Sequence, residues 1–177
     1  MNANHIKILL LVVLSGFAFQ ARSANEIDSL NVYVFLSETC PICQSSSIEL
    51  RRIYEQYSGE PIKFIAVFPN ASSSAETISR FVKKYKLPWL VLKDDDRELT
   101  RKLCADTTPE VIVINQHSGE TIYRGLIDNS YVTIGKRRQV VTAHYLSDAI
   151  KSYLSNEPIL ISSTIPVGCF IQNQVPK

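Results

Sequence analysis

Apolar residues along this chain fall into two kinds of pattern, and their alternation predicts the elements. Short continuous runs read as buried strands: Val32–Leu36, Ile62–Phe68, Trp89–Leu92 and Val111–Ile114. Between them, apolar positions recur at helical spacing. Leu50, Ile53, Tyr54 and Tyr57 share one face, as do Ile78, Phe81, Val82 and Tyr85. Ser73-x-x-Glu76 reads as the capping box that opens the second helix, and Leu87-Pro88 ends it. Asp94-Asp95-Asp96 reads as an acidic cap for a short helix through Leu99 and Leu103 rather than as a metal site. Asn115–Gly119 is a turn, and Thr121–Ile127 its returning strand. Thr142 is positioned to cap a last helix whose Leu146, Ala149, Ile150 and Tyr153 align. The predicted order is β-α-β-α-β-α-β-β-α. Strands joined by helices imply parallel pairing, and the late hairpin adds an antiparallel edge.

The first residues follow another pattern. Lys7 precedes an apolar stretch from Ile8 to Phe19, and Ala21-Arg22-Ser23 places small residues at a cleavage site. Residues 1–23 therefore read as a secretory signal peptide, and 24–177 as a single domain with a C-terminal tail from about 158. The expected location is periplasmic or extracellular. The 19 basic and 17 acidic residues become equal in number once Lys7 and Arg22 are removed. That balance points to no nucleic acid and, after signal cleavage, no membrane as a partner.

The chemistry lies in the cysteines at 40, 43, 104 and 169, all in the exported part. Cys40-Pro41-Ile42-Cys43 sits where the first strand runs into the first helix, with Pro41 suited to the first helical turn. A thiol there faces unpaired backbone N–H groups, which favour the thiolate. Two cysteines in one turn can close a disulfide with little rearrangement, so Cys40 is the candidate nucleophile and Cys43 the resolving thiol of a disulfide exchanger. Its partners would be protein or small-molecule thiols and disulfides, with a redox partner the sequence does not name. No cofactor and no metal are called for.

This arrangement resembles the thioredoxin fold, a mixed central sheet of about five strands flanked by helices. Thr108-Pro109 looks like that fold's cis-proline loop, which would shape a substrate groove together with Pro41. A closer resemblance is to exported bacterial redoxin-domain proteins of the alkyl hydroperoxide reductase/thiol-specific antioxidant superfamily. It is carried by Cys40-Pro41-Ile42, Phe68-Pro69-Asn70, Thr108-Pro109-Glu110, Tyr123-Arg124-Gly125, Gly135-Lys136-x-Arg138 and Thr164-x-x-x-Gly168-Cys169. The resemblance implies disulfide chemistry at Cys40 and Cys43.

Two departures bear on mechanism. Val34 stands where thioredoxins carry a buried acid, so the Cys43 proton needs another acceptor. Tyr33 stands where a peroxiredoxin has proline, which weakens the alternative of a thiol peroxidase with Cys40 as peroxidatic residue. A copper(I)-binding module with His117 or His144 is the non-enzymatic alternative. Glu38 and Arg124 are candidates to line the site, Arg124 as a partner for a thiolate. The polar segment Asp128–Arg138 reads equally as a lid or a solvated loop. For Cys104 and Cys169 the leading expectation is a structural disulfide. The alternatives are exchange of Cys169 with Cys40, and two buried reduced thiols. A bridge requires Cα atoms within about 7 Å.

Overall fold

A computed structural model of the protein describes residues 29–172. The expected signal peptide lies outside the described residues. Strands β1 (Leu30–Phe35), β2 (Ile62–Phe68), β3 (Leu90–Lys93), β5 (Glu110–Asn115) and β6 (Thr121–Gly125) form one sheet in the order β3-β2-β1-β5-β6. β1 pairs in parallel with β2, and β2 with β3, whereas β1–β5 and β5–β6 are antiparallel. The mixed sheet and its antiparallel hairpin edge are those the sequence predicts. The fold is thioredoxin-like.

Alternation along the strands decides which helix covers which face. Val32, Val34, Val111 and Val113 point to the larger core, under α1 (Pro41–Gln56), α2 (Ala75–Tyr85) and α4 (Tyr145–Leu154). Phe35, Ile65, Val67 and Ile112 point to the other face. There they meet Ala105 and Ile171, with Leu99 of α3 (Glu98–Lys102) packed alongside. Ile171 is far along the tail, so the end of the described chain forms part of the second core.

Two predicted caps are corrected. Helix α2 is capped by Ser74, whose hydroxyl accepts from Thr77 N at 3.1 Å while Thr77 Oγ1 accepts from Ser74 N at 2.9 Å. Ser73 is used elsewhere: its hydroxyl donates to the Glu38 carboxylate at 2.7 Å. Thr142 does not cap α4, which starts three residues later. Its backbone N–H donates instead to Asn129 Oδ1 at 3.0 Å. Asp94 does cap α3, accepting from Leu99 N at 3.2 Å and Thr100 N at 2.8 Å.

Four short strands, paired two by two, complete the described chain. β7 (Tyr131–Thr133) and β8 (Lys136–Arg137) make a small exposed hairpin in the polar segment. Its base is tied down: Tyr131 Oη lies 2.7 Å from Ser45 Oγ on α1, while Lys136 and Arg137 face solvent. β4 (Thr107–Thr108) pairs antiparallel with β9 (Cys169–Phe170) from the tail.

Candidate functional site

Cys40 is the N-cap residue of α1 and Pro41 the first residue of the helix. Proline fits there because that position's N–H has no intrahelical acceptor. Cys43 lies within the first turn. Both thiols are covered, Cys40 being 2% exposed and Cys43 fully buried. Cys43 Sγ accepts from Ser37 N at 3.4 Å. As a thiol, Cys40 donates to the Thr108 carbonyl at 3.3 Å. The Thr108–Pro109 peptide bond is cis, as the resemblance implies.

The two thiols differ in acidity. The Cys43 S–H bonded to Cys40 does most to hold the Cys40 pKa down, to about 5. Burial opposes this, and the Cys169 S–H and the N–H groups of Cys43 and Ile42 add to it. Burial pushes Cys43 well above the ordinary thiol value, and the anion at Cys40 pushes it further. At neutral pH the pair is therefore one thiolate and one thiol. The helix N-terminus contributes as the sequence predicts, but the neighbouring thiol contributes more.

The third cysteine is the feature on which sequence reasoning left several outcomes open. Cys169 Sγ lies 2.8 Å from Cys40 Sγ and donates to it. Burial, then the Cys40 hydrogen bond and charge, raise the Cys169 pKa to about 11. The leading expectation of a Cys104–Cys169 bridge is corrected: both are free, and Cys104 is exposed with its thiol directed at Arg101 O at 3.6 Å. Strand register is the reason. Thr108 pairs with Cys169 and Thr107 with Phe170, and Asp106 O accepts from Ile171 N at 2.7 Å. Continuing that register carries Cys104 past Gln172, away from Cys169.

The tail is built to lie against the Thr108–Pro109 loop. A Cβ on Gly168 would overlap the Thr108 carbonyl oxygen and come within 2.6 Å of its carbon, so only glycine allows this approach. Thr108 Oγ1 donates to Cys169 O at 3.2 Å. Upstream, Thr164 Oγ1 accepts from Leu126 N at 2.8 Å and lies 2.8 Å from Tyr123 Oη. Downstream, Gln172 N donates to Asn70 Oδ1 at 3.1 Å, and the Ile171 side chain is buried. The groove expected for a substrate strand, beside Pro109 and Cys40, thus holds a strand of the chain itself.

Arg124 does not partner the thiolate, and the Glu38 side chain is engaged by the start of α2. The Glu38 carboxylate accepts from Ser73 and from Thr77 Oγ1 at 2.9 Å, tying the loop before Cys40 to the start of α2. Arg124 bonds Glu110 at 2.6 Å and the carbonyls of Cys104 and Leu103. Glu110 shares its side of β5 with Ile112, on the sheet face opposite the Cys40–Cys43 core. The peroxidase alternative thereby loses its proposed thiolate partner. Among the described residues, no group of three or more His, Cys, Asp or Glu side chains is placed to hold a metal ion.

Comparison with known proteins places this geometry in context. The sequence model of the redoxin family matches residues 23–140. The chain is similar to the thiol-disulfide oxidoreductase ResA of Halalkalibacterium halodurans, 26% identical over 111 residues. That match covers 62% of this chain and 61% of the relative's length. Among solved structures, an uncharacterized conserved protein from Geobacillus kaustophilus superposes with a TM-score of 0.75 at 23% identity. The overlap covers 85% of this chain and 80% of that one. A secreted Mycobacterium tuberculosis disulfide oxidoreductase gives a TM-score of 0.50 at 16% identity, covering 73% of this chain and 82% of its own.

Proposed function

Because the chain belongs to the redoxin family, we propose that it is an exported thiol–disulfide oxidoreductase working through Cys40 and Cys43. One observation carries this reading: a cysteine at a helix N-cap, with its pKa lowered to about 5, has a high-pKa thiol one turn on. In this mechanism the Cys40 thiolate attacks one sulfur of a substrate disulfide. The substrate's other sulfur leaves, and a mixed disulfide forms. Cys43 then gives up its proton and attacks Cys40, releasing the substrate thiol and closing the Cys40–Cys43 disulfide. Run in reverse, the same steps oxidise a dithiol.

Cys40 makes a good leaving group as well as a nucleophile populated at neutral pH, since a low-pKa thiolate departs readily. The Thr108–Pro109 loop would hold the substrate backbone, as it holds β9 of the tail, and Pro41 would border the groove. Residues 24–177 would act as one exported unit in the periplasm or outside the cell, on protein or small-molecule disulfides. Similarity to ResA and to the secreted mycobacterial oxidoreductase supports the activity and the location.

The test is catalysed exchange with a protein disulfide such as insulin, together with the Cys40–Cys43 potential against glutathione. Exchange should be lost in Cys40→Ser. A potential near −270 mV would make the protein a reductant and one near −120 mV an oxidant. Wild-type exchange no faster than that of Cys40→Ser would overturn the reading.

A further inference from the structure

We propose that Cys169 is a third redox cysteine, and that β9 is a built-in substrate strand carrying it to Cys40, so that a Cys40–Cys169 disulfide interconverts with Cys40–Cys43. The proposal rests on the disulfide-exchange reading above and adds a residue and a route to it.

Three independent features support it. First, the sulfurs of Cys169 and Cys40 are already 2.8 Å apart, so exchange needs no large rearrangement. Second, Cys169 reaches that place on a strand paired with β4, immediately before cis-Pro109. Backbone pairing holding a cysteine against Cys40 is what a bound substrate strand would provide. Third, the approach is enforced from both sides of the cysteine. Gly168 lies against the Thr108 carbonyl where no Cβ fits, and Ile171 is anchored in the second core. A tail that merely covered the site would not need a cysteine at the one position opposite Cys40.

The step balances within the chain. Starting from the Cys40–Cys43 disulfide, Cys169 loses its proton and attacks Cys40 Sγ. The Cys40–Cys43 bond breaks as the Cys40–Cys169 bond forms. Cys43 leaves as a thiolate and takes up a proton, so there is no net oxidation. With Cys40 held in a disulfide, the charge that helps to raise the Cys169 pKa is gone, which eases its deprotonation.

Exposure gives the relay its direction. Cys40 and Cys43 are buried, whereas Cys169 is only partly covered. A small thiol from solution therefore meets Cys169 first. Its attack on Cys169 Sγ expels Cys40 as a low-pKa thiolate and leaves a mixed disulfide on the tail. A second thiol attacks that mixed disulfide, releasing the external disulfide and Cys169. The net reaction oxidises two external thiols and reduces one disulfide of the protein.

The experiment uses the full chain with glutathione disulfide as oxidant. In Cys43→Ser, Cys169, or Cys40 when β9 opens, attacks glutathione disulfide and releases one glutathione, and the other of these two cysteines displaces the second. Non-reducing peptide mapping should show a 40–169 link in most molecules and little glutathione on Cys40. Adding Cys169→Ser should convert Cys40 to its glutathione adduct, whereas Cys104→Ser should change nothing. As a check that needs no change at the buried position, wild type equilibrated with glutathione and quenched in acid should contain both 40–43 and 40–169 peptides. Stable glutathionylation of Cys40 in Cys43→Ser, with Cys169 still free to alkylate and only the 40–43 link in wild type, would overturn the proposal. Insulin turnover that is retained in Cys169→Ser, at whatever rate, and lost in Cys40→Ser upholds the exchange reading even where the mapping overturns the relay, so the two readings fail separately.

Discussion

Replacing Gly168 with alanine tests whether the tail strand controls access to Cys40. The added methyl overlaps backbone, the Thr108 carbonyl, and backbone cannot swing aside as a side chain would. The chain has two responses. It can keep β9 in place with strain, at the roughly 1–3 kcal/mol typical of overpacking. Or it can lift the strand. Lifting re-exposes the buried Ile171 side chain, worth roughly 1.5–3 kcal/mol. It also gives up the Ile171 N–Asp106 O and Thr108 Oγ1–Cys169 O bonds, each worth about 0.5–1.5 kcal/mol. Freed residues recover backbone entropy of about 1–2 kcal/mol each, so local release is cheaper than the lost contacts suggest.

By either response, the closed state loses about 1–3 kcal/mol relative to the open one. That raises the open population by roughly 5- to 150-fold. In the reduced protein, Cys40 is reached by iodoacetamide when β9 opens, so its alkylation rate should rise by the same factor. Denaturant unfolding should show a loss of stability within that range. Gly59→Ala is the control, since a Cβ there meets nothing within 4 Å. Wild-type alkylation of Cys40 together with wild-type stability in Gly168→Ala would refute the idea that close packing on Thr108 holds the strand down.

Three further expectations follow from charge. Thiolate absorbance of the reduced protein should show one cysteine titrating near pH 5, and Cys43→Ala should move that midpoint upward, because the Cys43 hydrogen bond is its largest cause. The depressed Cys40 pKa gives the reduced protein stability that is fully present above the ordinary thiol value of 9.0 and lost as pH falls through about 5. The raised Cys43 pKa acts only at the alkaline end, costing stability as pH rises past 9.0. Arg124→Ala leaves the buried Glu110 carboxylate without its cation, a loss of roughly 3–5 kcal/mol for a fully buried pair. Arg124 is about one-third exposed, so the expected loss at pH 7 is about 2–3 kcal/mol. Burial already raises the Glu110 pKa. Without Arg124 it rises further, so the deficit should shrink as acid protonates the carboxylate; a deficit equal at pH 7 and pH 5 in urea melts would count against this account.

Much of the fold is legible in the sequence because it depends on repeated burial. Strand β2 is found at its predicted limits, since an unbroken apolar run from Phe64 to Phe68 is buried on both faces of the sheet. The Cys40–Cys43 turn is legible because strand, proline and helical period meet there. What was not legible depends on single long-range partners. Ser73 and Ser74 are chemically equal candidates for a cap, and the choice between them turns on Glu38, 35 positions earlier, which claims Ser73. Arg124 could face either side of its strand on the evidence of composition. It faces Glu110 because burying that carboxylate requires a cation.

Cys169 is the extreme case. A two-residue strand has no period, and its partner β4 lies 61 positions away, so periodicity gives no register. The trace it leaves is Gly168, a residue that permits close backbone approach beside a cysteine. That placement also bears on the missing acid. Val34 supplies no acceptor for the Cys43 proton, and Glu110 lies on the other face of the sheet. When Cys43 attacks a Cys40–Cys169 bond, the departing Cys169 sulfur is itself a base, and burial, the largest cause of its raised pKa, still acts once Cys40 is held in the new disulfide. The proton that Cys43 must lose is matched by the one that Cys169 must gain. Exchange between the two internal disulfides therefore needs no external base. A substrate that displaces β9 must instead bring its own leaving sulfur or water to do the same work, and so the tail strand affects proton transfer as well as access.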